Sequence, residues 1–389
     1  MKPNNQLMSF KNVFRGLAYS VCIAAFAASV TSCKKDDAAP APVADIVSFK
    51  DVSVSSAQET PTTSSTASGV LNVDYDKNSK SLKYTITYSG LTPTSMHFHK
   101  GAIGAAGGVE REVPGPYTSG MTGTVTLTAA QEADLLANNW YLNVHTAANA
   151  GGEIRGQVVP NTMVVFANIS LSGKQEVPRN TSATTGVFNG LYDKTTKKVT
   201  YSISVTGATP TAMHLHNAKV GTNGDVVVEL TGTGGTTTAL TATQETDLLA
   251  GNFYFNAHTS AFPGGEIRGQ VVGDNMIVFS NSLSGSNEIP SNVSIASGTV
   301  YGLYDKSTKS LKYVIAYSGL TPTAMHFHKA AAGANGDVVF EIPAPYSSGM
   351  SGSVTLTAAQ ETDLLSKLWY VNVHSAAFAG GELRTQLVK

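Results

Sequence analysis

The chain has 389 residues, with 26 Lys and Arg against 27 Asp and Glu, for a formal net charge of −1. So even a balance excludes the basic face of a nucleic-acid-binding protein. With only 14% charged residues and 42% hydrophobic ones, the composition is that of an ordered, β-rich chain and excludes a disordered one.

Residues 1–33 read as an export signal. Lys2, Lys11 and Arg15 form a basic start, and Gly16 to Ala28 is an apolar run too short for a comfortable membrane span. The run ends in Val30-Thr31-Ser32-Cys33, which resembles a bacterial lipobox; that resemblance implies a lipid on Cys33. Lys34-Lys35-Asp36-Asp37 resembles the surface-export signals of Bacteroidetes-type lipoproteins. It implies an outer-membrane lipoprotein exposed at the cell surface, with the periplasmic face as the other location. The only other cysteine, Cys22, lies inside the leader, so the chain after Cys33 has no disulfide to form. Residues 34–44, with Pro40 and Pro42, read as a short stiff tether.

From residue 45 onward one unit recurs three times, over 45–160, 161–274 and 275–389. Each copy opens with Glu-x-Pro: Glu59-Thr60-Pro61, Glu176-Val177-Pro178, Glu288-Ile289-Pro290. A Gly-led strand, a polar turn and a returning strand follow, as in Gly298–Tyr304, Asp305–Lys309 and Leu311–Tyr317, which is a β-hairpin pattern. Thr-Pro leads into a strand carrying His-x-His, and a Gly-containing turn leads to another strand. Thr128 with Gln131, Thr241 with Gln244 and Thr357 with Gln360 have capping-box spacing, so each copy should hold one short helix, with Leu135 and Leu136 toward the core in the first. The last strands carry Asn-x-His, a Gly-Gly turn and Glu-x-Arg. Many short alternating strands with frequent turns predict an all-β protein of three tandem Greek-key β-sandwich or barrel domains, strung like beads on joints at Pro160-Asn161 and Gly273-Asp274 that are short enough to limit their freedom.

All nine histidines of the chain fall at three equivalent positions: His97, His99 and His145; His214, His216 and His258; His326, His328 and His374. Side chains two apart on a strand share a face, so each His-x-His can aim both rings at one point, and a third ring from a late strand completes three nitrogens. Imidazole suits copper or zinc among other metals. Three readings stand open: a metal site, a structural hydrogen-bonded network, and direct contact with a ligand or partner. Asn143, Asn256 and Asn372 lie two residues before the third histidine and are candidates to orient it. Glu153, Glu266 and Glu382 are candidate outer carboxylates, and share a face with Arg155, Arg268 and Arg384, either as a cross-strand ion pair or with the Arg beside the site. No Gly-x-Ser-x-Gly elbow, phosphate-binding loop or cysteine nucleophile appears, which argues against an enzyme of those classes.

The Glu-x-Pro opening, Thr-x-Met-His-x-His, Leu-Thr-x-x-Gln and Asn-x-His…Gly-Gly-Glu-Ile-Arg-Gly-Gln together resemble the chordin (CHRD) domain family across 45–389. The third copy has Leu383 and Thr385 where the others have Ile and Gly. That resemblance implies an extracellular binding or structural module, with a protein or matrix partner, and defines no reaction. The histidine pattern also resembles Cu,Zn superoxide dismutase, a Greek-key barrel whose copper is held by a His-x-His strand and a late-strand histidine; His97, His99 and His145 match in order. This implies a copper-dependent redox protein as the alternative, but residues 100–144 contain no histidine to bridge to a zinc. A third reading is an adhesion or matrix protein in which three copies supply avidity.

Overall fold

The computed structural model describes residues 43–389; the leader, Cys33 and residues 34–42 of the tether lie outside the described residues. The first repeat folds as β1 (Ile46–Ser55), β2 (Ser68–Asp76), β3 (Ser81–Ser89), β4 (Ser95–Lys100), β5 (Val109–Glu112), β6 (Met121–Thr126), α1 (Ala129–Leu136), β7 (Trp140–His145) and β8 (Ile154–Gln157). These strands form one antiparallel sheet in the order β5-β4-β7-β8-β1-β2-β3-β6. The second sheet, from Met163–Ser172 to Ile267–Val271, and the third, from Met276–Ser284 to Leu383–Gln386, have the same order. Three all-β, eight-stranded units are therefore present, each with one short α-helix.

Alternation builds each strand. In β2 and β3 the residues Leu71, Val73, Tyr75, Leu82, Tyr84 and Ile86 are buried, and the residues between them are not. The hairpin joining them turns on Asp76, whose carboxylate accepts from the Asn78 backbone N–H and the Ser79 hydroxyl. This lets Lys80 take a left-handed φ of 54°, as Lys197 and Lys309 do in the other copies. Lys80 then reaches Glu132 of α1 at 2.6 Å.

The sheet curls until its ends approach. Tyr84 of β3 packs edge-on against Phe98 of β4, with ring centroids 5.5 Å apart, although the two strands lie near opposite ends of the order. Arg111 of β5 donates to the carbonyl of Thr126 on β6, the other edge strand. The curl encloses a core of Phe49, Leu71, Tyr75, Phe98, Trp140 and Leu142 and brings the two edge strands face to face, limiting exposed edges. The predicted capping box forms in all three helices. Leu135 is buried but Leu136 is 40% exposed, contrary to the expectation that both face inward. In a helix adjacent residues point about 100° apart, so one narrow stripe cannot take both.

The three units are not beads. Residues 44–389 form one compact unit. Asn168, at the start of the second copy, donates through its amide to the carbonyls of Ala57 and Glu59 in the first. Tyr301 of the third copy donates its hydroxyl to the carbonyl of Glu176 in the second, and Tyr301, Leu303 and Val314 belong to the second copy's hydrophobic core. Asp274, in the joint between the second and third copies, accepts from Ser53, Ser55 and Gln58 of the first. Tyr301→Ala should cost about 3–5 kcal/mol, the usual effect of deleting a buried aromatic. Tyr301→Phe should cost only about 1 kcal/mol, the usual net worth of one hydrogen bond. Urea unfolding of the two variants against the parent chain measures both.

Candidate metal centre

The site is built on β4 and β7. Register pairs Ser95 with His145, His97 with Asn143 and His99 with Tyr141; on the far side of β7, Asn143 pairs with Arg155. The pleat therefore sends Phe98, Leu142, Val144 and Ile154 into the core and sets His97, His99, Tyr141, Asn143, His145 and Arg155 on the opposite face. The apolar half of each strand holds the register, and the polar half inherits its positions from it.

The structure brings together the nine predicted histidines in three sets of three. In each set, one ligand-type nitrogen per ring lies within 4.8 Å of the other two. His97 Nδ1 is 3.1 Å from His145 Nε2, and the same separation recurs for His214–His258 and His326–His374. Two rings of each set are oriented by backbone. His99 Nδ1 faces the carbonyl of Gly107 at 3.0 Å, and His145 Nδ1 faces that of Ala150 at 3.0 Å. A carbonyl only accepts, so both Nδ1 atoms carry a hydrogen, and in the neutral ring Nε2 then presents a lone pair. The His99 lone pair is buried without any partner, as are those of His216 and His328. Such an orphaned acceptor is costly unless something fills its direction. Burial pushes the pKa of His97 down, with repulsion from His145 adding to it; burial likewise pushes His99 down. Neutral rings are what a metal requires.

Around the rings is a second layer, in which the arginines stand beside the site as one of the two sequence readings had it, and the tyrosines are new. Tyr141 stacks on His99, nearly parallel, with centroids 5.0 Å apart, and the Arg155 guanidinium lies 3.5 Å over the Tyr141 ring. Tyr254 with Arg268 and Tyr370 with Arg384 repeat this stack. Arg155 also donates to the carbonyls of Ala102 and Ala105. It thereby pins the loop whose Gly107 carbonyl orients His99, while the Gly107 N–H donates to the Tyr141 hydroxyl. A Cβ on Gly107 would stand 1.5 Å from the Lys100 carbonyl oxygen, so only glycine fits.

Three expectations are revised here. Glu153 and Arg155 form no ion pair: Glu153 accepts from the hydroxyls of Ser65 and Thr146 instead. Glu266 likewise takes Ser182, Thr184 and Thr259, and Glu382 takes Ser294. None of these carboxylates bonds a histidine ring. Their chains share the Arg side of the strand, but the hydroxyls of the flanking loops lie closer. Asn143 does not orient His145 either; its amide donates to Glu59, as Asn256 does to Glu176 and Asn372 to Glu288. The glutamate of Glu-x-Pro is thus a member of the site's surroundings that the sequence marked only as a landmark. Burial raises the Glu59 carboxyl and pushes Glu176 and Glu288 up to about 7, against the opposing pull of Arg268 and Arg384.

A fold of three curled eight-stranded sheets, each carrying a three-histidine face, defines a tandem all-β repeat protein. A family model for the CHRD domain matches residues 51–158, 167–271 and 279–387, and the chain belongs to the CHRD domain family in three tandem copies. No curated protein and no solved structure matches the chain.

The raised Glu176 carboxyl makes a signed prediction. Its ordinary value is 4.5 and its folded value about 7, so between them the folded chain holds a proton that the unfolded chain has lost. This group's contribution to stability is full below about pH 4.5, falls as pH rises toward about 7, and is level above. Glu176→Gln cannot titrate. The stability of the parent chain minus that of Glu176→Gln should therefore fall from about pH 5 to about pH 7.5, as measured by urea unfolding at both.

Proposed function

We propose that this chain is a surface-anchored lipoprotein whose CHRD domains form a binding or structural module, each domain holding one metal ion on its three histidines. The observation that carries the metal reading is the convergence of one nitrogen per ring in every copy, with the His99, His216 and His328 lone pairs buried and unpaired. A purely structural network would use that third nitrogen; an ion would satisfy all three at once. Two Nε2 atoms and one Nδ1 suit copper or zinc. His97, His214 and His326 would supply Nδ1, and His99, His145 and their counterparts would supply Nε2.

The lipobox ending in Cys33 supports a membrane anchor, and the charged Lys34–Asp37 stretch supports the outer, cell-surface face. At about 0.8 kcal/mol per buried methylene, several acyl chains would hold the protein firmly. Tight packing of the three domains supports a rigid platform that meets an extracellular protein or matrix partner with three similar faces, gaining avidity in the manner of an adhesion protein. A copper-dependent, dismutase-like redox role is the second reading, favoured by the order and strand context of His97, His99 and His145. It is weakened by the absence of any histidine between residues 100 and 144.

Elemental analysis of the chain purified without chelator tests the metal sites. About three equivalents of one transition metal are expected, with the bound metal lost in a His97→Ala, His214→Ala, His326→Ala variant. No metal in the parent chain, even after copper and zinc are offered, would overturn the metal reading and leave the histidines as packing groups.

A further inference from the structure

The third ring of each set lacks what the other two have. His99 and His145 are each held by a backbone carbonyl on the nitrogen facing away from the cluster. His97 has no such bond: its one hydrogen-bond contact is the 3.1 Å approach of Nδ1 to His145 Nε2. With His145 neutral and its one hydrogen held on Nδ1 by the Ala150 carbonyl, the hydrogen between these two rings sits on His97 Nδ1. For His97 to offer that nitrogen to a metal, the hydrogen must move to Nε2, and Nε2–H then needs an acceptor.

The acceptor in reach is on the neighbouring strand. Glu112 of β5 is the cross-strand partner of His97, Glu229 that of His214 and Glu341 that of His326. Paired residues of adjacent strands put their side chains on the same face, with Cβ atoms about 5 Å apart, within the span of a glutamate and an imidazole. Glu112 lies on the side of β4 away from β7, so it approaches His97 from opposite His145. The rest of the edge strand varies: between Val109 and Glu112 stand Glu and Arg, between Val226 and Glu229 two valines, and between Val338 and Glu341 Val and Phe. The glutamate stays in all three. Its carboxylate is exposed and carries no ion pair or side-chain hydrogen bond among the described residues, unlike the ion-paired Lys80–Glu132 and Lys100–Asp134. An edge strand needs only some charge to discourage pairing, not one residue opposite one histidine.

We propose that Glu112, Glu229 and Glu341 are positioning residues that accept a hydrogen bond from Nε2–H of His97, His214 and His326 when Nδ1 takes a divalent metal ion. Each would fix the tautomer and ring angle of the one ligand the backbone leaves free, and lend it basicity. This rests on the metal reading above.

The test is Cu2+ binding to the purified full chain and to its Glu112→Gln, Glu229→Gln, Glu341→Gln variant, by competition titration. In parallel, 15N-histidine NMR of the Zn2+-loaded protein would follow exchange of the Nε2 hydrogens with solvent. The expected result is unchanged stoichiometry, affinity lower by about 10- to 100-fold, and faster exchange of three Nε2 hydrogens in the variant. The metal-free melting temperature should not move, since the carboxylates have no partner there. Equal affinity and equal exchange in parent and variant would overturn the role of the glutamates while leaving the sites intact. A variant that loses affinity only because its metal-free form is destabilised would also overturn it. A parent chain that binds neither metal would overturn the sites and the glutamates together.

Discussion

The pleat of β4 against β7 is the constraint on which the rest of each domain depends. One face of this pair must bury Phe98, Leu142 and Val144, and that requirement fixes a register in which His97 and His99 stand beside Asn143, Tyr141 and His145. A slip of one residue would move the aromatic and aliphatic side chains to the wrong face, at a cost of several buried hydrophobic groups of about 1.5–3 kcal/mol each. The histidines are therefore placed by the packing of their neighbours.

Once placed, the rings are aimed by backbone held in turn by other side chains. Arg155 links three parts of this arrangement: it lies on Tyr141, which stacks on His99, and it grips the loop that supplies the Gly107 carbonyl. A buried guanidinium without a carboxylate in contact would ordinarily be unfavourable. Here carbonyls and an aromatic face replace the lost water, with Glu59 supplying longer-range attraction.

The same glutamate position connects the site to the domain interface. The carboxyl of Glu176 accepts from Asn256 beside the histidine strand, while its backbone carbonyl accepts from Tyr301 of the next domain. At the first joint, the carbonyl of Glu59 accepts instead from Asn168. Two joints thus use one acceptor and different donors.

The architecture was legible in the sequence because it rests on local rules. Alternating apolar residues wrote the strands, Asp and Lys wrote the hairpin turns, and Thr-x-x-Gln wrote the helix caps, so three all-β units followed from pattern alone. The nine histidines were legible too, since a strand's two-residue period places His97 with His99 without knowledge of any partner. What the sequence by itself could not determine was which group each of the remaining polar side chains meets. Glu153 with Arg155 looked like an ion pair from spacing, yet Ser65, from a distant loop, takes the carboxylate, and Tyr141 and two loop carbonyls take the arginine. Glu112 and Tyr141 join the histidine face only through strand pairing, and Tyr301 meets Glu176 only through domain packing. Those choices belong to tertiary structure for a physical reason: a hydrogen bond or ring contact goes to whichever group the folded chain brings within a few ångströms, and sequence distance carries no record of it.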